Sequence, residues 1–152
     1  MVFCAAAVIS MAAALYLSGI RGQQGGFVPP EFDPQAVSGT PVNAGESWTE
    51  IYQDGMGFSA HVCGRIVIED DSADIYFTND QDNQVWMKLR VTDAEGNILG
   101  ETGLIKPGEY VKSVVFHTVP DKGRKISMKI MAYEPKTYYS AGAVTLNTEI
   151  GG

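Results

Sequence analysis

The first twenty residues carry no charged side chain, and within Val2 to Ile20 (VFCAAAVISMAAALYLSGI) only Ser10 and Ser18 are clearly polar. As a helix rising about 1.5 Å per residue, the run reaches roughly 28 Å, close to the thickness of a hydrocarbon core, whereas the apolar part of a secretory leader usually stops at about 15 residues. Residues 1–21 therefore read as an uncleaved transmembrane anchor. Ala12-Ala13-Ala14 offers a small-residue cleavage site, but cutting there would leave Leu15, Tyr16 and Leu17 at the new terminus. A buried core helix would show one polar face, and this run shows none. Cys4 lies at the start of the run instead of after it, so it reads as a small apolar residue of the helix and not as a lipid-attachment site. No basic residue precedes the run and Arg21 alone follows it, too short a tally to set the orientation; a folded domain translocates regardless of it, and the C-terminal domain is expected outside the cell.

Behind the anchor, residues 22–45 (GQQGGFVPPEFDPQAVSGTPVNAG) draw nine of their twenty-four members from Gly and Pro and show no periodicity. This segment reads as a solvated linker, whose prolines at 29, 30, 34 and 41 oppose regular pairing. Fully extended it would span roughly 80 Å. Phe27, Val28 and Phe32 are its residues able to dock on the domain. The remaining 46–152 is the size of one small β-domain with one core. The net charge of -7 is uneven, with two Lys/Arg against eleven Asp/Glu up to residue 85, which argues against nucleic acid as a partner. Cys4 and Cys63 are the only cysteines, so no disulfide framework is expected and Cys63 should be a buried free thiol.

From Ser47 onward the hydrophobic period is two. Val85, Met87, Leu89 and Val91 alternate with Trp86, Lys88, Arg90 and Thr92, and Ile126, Met128, Ile130 and Ala132 repeat the pattern. Further strands are expected over 58–69, 73–78, 97–102, 110–117 and 143–150. Turn chemistry separates them: Asp70-Asp71-Ser72, Asp93 to Asn97 with a glycine bulge, Lys106-Pro107-Gly108-Glu109 as a type II turn, and Asp121-Lys122-Gly123. About seven short strands with no helical period after the anchor predict an all-β, immunoglobulin-like antiparallel β-sandwich.

Catalytic motifs are incomplete. Gly57-Phe58-Ser59-Ala60-His61 has the serine of a nucleophile elbow but His where the second Gly must sit, and no helix follows. His61 and His117 lack neighbours at metal-ligand spacing, so zinc is not expected. Tyr138-Tyr139-Ser140 has the composition of a corner in which a tyrosine hydroxyl ties the loop to backbone. Asp80 and Asp82, inside Asn79-Asp80-Gln81-Asp82-Asn83, have the D-x-D spacing of a calcium loop, but without the glycine and distal Glu of an EF-hand; ordinary turn formation is the favoured reading of the two. If the strands at 85–92 and 126–133 are neighbours, their outward residues Trp86, Lys88, Arg90, Lys129, Met131 and Tyr133 make one mixed aromatic and basic face. That face suits a protein partner, a glycan or an anionic cell-wall polymer, unless Trp86 packs under the linker and the cations merely solvate the sheet.

The stretches VWMKLRVTDAEGNILGETGLIKPGEYVKSV (85–114) and KIMAYEPKTYYSAGAVTLNTEI (129–150) resemble those of small, single-pass, surface-exposed proteins of Gram-positive, clostridia-type bacteria. The resemblance covers the β-domain and the layout of anchor and linker; this chain departs from it in lacking basic residues before the apolar run. No catalytic residue carries over. The expected function is a membrane-anchored extracellular β-sandwich module with a structural or interaction role at the cell envelope, without catalysis or cofactor. One alternative is a subunit of an assembled surface filament or homo-oligomer, although the acidic residue near the start of the apolar run that marks type IV pilins is missing. Another is a calcium-stabilised module binding a glycan or cell-wall polymer.

Overall fold

A computed structural model describes residues 27–152; the anchor expected over 1–21 lies outside them. Among the described residues no helix is long and apolar enough to cross a membrane. The described chain is all-β, with ten strands: β1 (Val37–Ser38), β2 (Trp48–Ile51), β3 (Ala60–Cys63), β4 (Ile66–Glu69), β5 (Ser72–Asn79), β6 (Trp86–Asp93), β7 (Ile98–Glu101), β8 (Glu109–Val115), β9 (Lys125–Tyr133) and β10 (Ser140–Gly151). They form one sheet in the order β1-β8-β5-β4-β10-β9-β6-β7, with β3 adding to the far end of β5 and β2 to β3.

The sheet curls until its two halves share one core. Ile75 and Phe77 of β5, Met87, Leu89 and Val91 of β6, Val111 and Val114 of β8, and Met128 and Ile130 of β9 are all buried in a single cluster. Alternation explains this directly: β6 and β9 bury every second residue along their length, as a half-buried strand must. Two seams hold the curl. At one, Gly100 of β7 bridges Phe116 beyond β8, and the His117 N–H donates to the Leu99 carbonyl at 3.0 Å. At the other, Ile150 and Gly151 of β10 lie parallel to Ile66 and Val67 of β4. The rest of β10, from Ser140 to Glu149, pairs only with β9.

Ten strands stand where about seven are expected, and the differences have local causes. The single strand expected over 58–69 is broken after Cys63. The Gly64 N–H donates to the Ser47 carbonyl (2.9 Å) while its own carbonyl accepts from Thr148 Oγ1 (2.9 Å), which lifts this residue out of the ladder. β2 is stabilised by pairing with β3, Trp48 opposite Cys63. β1 lies within the Gly/Pro-rich segment: Val37 and Ser38, flanked by Pro34 and Pro41, retain free N–H groups and pair with Tyr110 and Glu109. Just before it, the Leu104 N–H donates to the Glu31 carbonyl (2.8 Å), the Asp33 N–H to the Leu104 carbonyl (2.9 Å), and the Gly103 N–H to Asp33 Oδ2 (2.7 Å). Residues 31–38 of the expected linker thus lie along the domain.

The turns carry the glycines their geometry requires. Gly96 (φ 85°) and Gly108 (φ 80°) supply the left-handed positions of the β6–β7 and Lys106–Glu109 turns. Within β5 a bulge between Asp74 and Phe77 puts Tyr76 at φ 46°, and its carbonyl accepts from both Trp48 Nε1 and Thr78 Oγ1 at 2.9 Å. Cys63 is a buried free thiol whose Sγ donates to the Ala44 carbonyl at 3.2 Å. Burial pushes that thiol upward in pKa, against a hydrogen bond with Ser47.

Candidate functional site

β6 and β9 are antiparallel neighbours, and their register sets Trp86 opposite Tyr133, Lys88 opposite Met131, and Arg90 opposite Lys129. All six residues expected on one face are therefore brought together. Cross-strand partners lie about 5 Å apart at Cβ, close enough for the row to act as one surface. Two of its cations are not free. Glu101, from β7, takes Lys88 Nζ on Oε1 (3.1 Å) and Arg90 Nε on Oε2 (3.0 Å). Burial alone would raise the Glu101 carboxyl, but the hydrogen bonds and charges of Arg90 and Lys88 outweigh it and hold the pKa below its ordinary value. Lys129, across from Arg90, is exposed and has no ion-pair partner among the described residues, so the patch has a net positive charge.

The Trp86 end is aromatic. Trp86 meets Phe32 edge-on at 4.8 Å and Tyr138 at 5.5 Å between ring centroids, and Phe27 continues the row at 6.1 Å from Tyr138. Lys106 Nζ sits 4.8 Å over the Phe32 ring. The indole is thus half-covered by the Gly/Pro-rich segment, and the contact of Tyr138 is made by its ring. Sequence reasoning did not reach Glu101, Lys106 or the Tyr138 contact. The signal for Glu101 was its place one strand over from Arg90, which only the β6–β7 register, Arg90 opposite Glu101, makes visible.

The acidic loop has different work. Asp80 Oδ2 accepts from Ser59 Oγ (2.6 Å) and Asp80 Oδ1 lies 2.7 Å from His61 Nδ1. Asn83 ties the loop down by accepting the Ser59 N–H and donating to Asn79 Oδ1 (2.8 Å), while buried Asn79 donates to the carbonyls of Val85 and Ile105. Both Asp80 oxygens are occupied and Asp82 is exposed, and among the described residues no group of three His, Cys, Asp or Glu side chains could hold a metal. His61 stacks on Trp48 at 4.4 Å beside a cavity of about 290 Å³ lined by Gly39, Thr40, Asp80 and Asp82. Ser59 and His61 each reach the same carboxylate, which ties the start of β3 to the 80–83 loop; no hydrogen bond among the described residues joins His61 to the serine hydroxyl itself, so the three do not form a relay from serine through histidine to carboxylate.

No protein-family model matches this chain, and neither a curated protein nor a solved structure is significantly similar to it.

Proposed function

We propose that the chain is a single-pass, membrane-anchored module of the cell envelope, with residues 2–20 in the bilayer and an immunoglobulin-like β-sandwich outside the cell in a structural or interaction role. Strand order supports the sandwich reading. β4, β5 and β8 follow the arrangement of the first, second and fifth strands of such a domain, β7-β6-β9-β10 that of the opposing sheet, and the parallel β4–β10 contact joins the layers. The observation that carries the interaction role is the β6–β9 face, where Trp86 and Tyr133 supply aromatic area and Lys129 an unneutralised charge beside the Lys88–Arg90–Glu101 cluster. An anionic cell-wall polymer is the partner class whose charge complements it.

The test is binding of isolated anionic cell-wall polymer to the detergent-solubilised full chain. Lys129→Glu is expected to weaken binding at least fivefold while leaving the thermal midpoint unchanged; equal binding by the two proteins defeats the assignment of this face. Location is tested separately. The chain should stay in the membrane pellet after an alkaline carbonate wash, and protease added to intact cells should remove its β-domain.

A second reading, a filament or homo-oligomer subunit, is favoured by β10. Its free edge holds one charged residue, no proline and no lysine, and beyond the irregularity at Ser140–Gly142 the stretch from Ala143 to Thr148 carries none of the usual devices against edge-to-edge pairing. Sizing the solubilised full chain against Thr145→Lys would separate this reading from a monomer.

A further inference from the structure

The anchor reading above places the end of the apolar run at Ile20, and the structure places Phe27 against Tyr138 at one pole of the domain. Because residues 31–38 lie along the sheet, they cannot serve as a long stalk. The chain between Ile20 and Phe27 covers no more than roughly 25 Å even when extended. If 2–20 is embedded in lipid, the pole carrying Phe27 is held at the membrane surface.

That pole is the one nearest the apolar run in the chain. It gathers the start of β6, the end of β9, the β9–β10 loop and the 104–108 segment. Phe27 is 67% exposed, Val28 83%, Tyr139 70% and Phe32 40%, and three of these four carry aromatic rings. Exposed apolar groups collected at one place mark a contact surface. Aromatic rings are favoured at the head-group level, where an apolar body meets a polar rim. Lys106, over Phe32, and exposed Lys136 provide two cations for lipid phosphates. The charge balance is nevertheless negative, since Glu31, Asp54, Asp80, Asp82 and Glu134 lie on segments at this same pole. Attraction to anionic lipid therefore cannot be the driving term.

We propose that the domain rests on the bilayer by this pole, with Phe27, Val28, Phe32 and Tyr139 seated among the lipid head groups through apolar burial and not through net charge. The proposal rests on the reading of residues 2–20 as a membrane anchor. It fixes an orientation: the β8–β9 loop, at the other end of nine-residue β9, stands about 30 Å further from the lipid.

The experiment uses the full chain in phosphatidylcholine vesicles, with and without bromine on the shallow acyl carbons, which quench a nearby indole. Two reporters are compared with the unsubstituted chain: Tyr139→Trp at the proposed contact, and Val119→Trp on the 50%-exposed position of the β8–β9 loop. The emission added by Tyr139→Trp is expected to fall by at least half in brominated vesicles and to do so equally in 1 M salt, while that added by Val119→Trp is unchanged. If the chain survives a carbonate wash with the vesicles but Tyr139→Trp is not quenched, the anchor stands and the resting pole is refuted. Quenching that disappears in high salt overturns the apolar mode of contact. Equal quenching of both reporters overturns the orientation. A chain that washes off the vesicles removes the anchor reading and the proposal with it.

Discussion

The two seams that close the curled sheet are built differently. Along β7, backbone atoms approach so closely that side chains are excluded: a Cβ on Gly100 would fall on the Val115 carbonyl oxygen, and one on Gly103 would come within 2.6 Å of the Asp33 backbone. Along β10, contact with β4 is limited to Ile150 and Gly151, supplemented by the Thr148 hydroxyl on the Gly64 carbonyl. The first seam joins backbone hydrogen bonds to positions where no side chain fits, and the second is a two-residue ladder with one hydroxyl bond. One therefore fixes the fold, while the other leaves ten residues of strand edge accessible.

This contrast can be broken deliberately. Gly100→Ala should cause the largest loss, about 3 kcal/mol or more, because backbone must part to admit the methyl group; urea unfolding of the full chain in detergent measures it. Asp33→Ala, which removes the acceptor of the Gly103 N–H, should cost about 2 kcal/mol in the same assay.

Acid should act next, and on the same side of the molecule. Asp93 accepts the side-chain amide of Asn97 (3.0 Å), which lowers its pKa against the effect of burial, helped by the backbone N–H groups of Asn97 and Glu95 and by Arg124. Glu101 is lowered as well, by Arg90 and Lys88. A carboxylate with a depressed folded-state pKa contributes stability above its unfolded value and loses it as pH falls through the folded one, so the melting temperature should drop below about pH 4. Glu101→Gln should flatten part of that fall; an unchanged profile would show that the cluster contributes no pH-dependent stability.

At the second seam the effects should be smaller. Thr148→Val removes one hydrogen bond and should cost about 1 kcal/mol. Thr145→Lys, exposed on the free edge, should change stability by no more than about 0.5 kcal/mol while abolishing any edge-mediated oligomer seen by sizing. A stability loss as large as that of Gly100→Ala would mean that the β10 edge is part of the fold's closure after all.

The strands that could be read from sequence were those with one wet face and one dry face. β6 and β9 alternate without interruption, so their outward residues could be named from the sequence, while their adjacency came only as a condition of the immunoglobulin-like order that the structure then met. The glycines at 96, 108 and 123 marked their turns for the same kind of local reason. β1 and β2 were not legible, because Val37 and Trp48 are strand residues only through distant partners, Tyr110 and Cys63. The break at Gly64 depends on Ser47 and Thr148, and no local period encodes either contact. Within the site, Trp86 was visible but its neighbours were not: Phe32 and Tyr138 reach it from segments with no periodic signal. The acidic loop could be read as turn or ion site from composition, and the Asn79–Asn83–Ser59 bonds that pin it to β3 had no signal in the sequence.

The twelve residues of β10 run the length of the domain, so Gly151 emerges far from the corner where Phe27 enters. A reporter placed behind Gly152 would consequently project from the end of the molecule opposite Phe27, clear of the aromatic contacts gathered there.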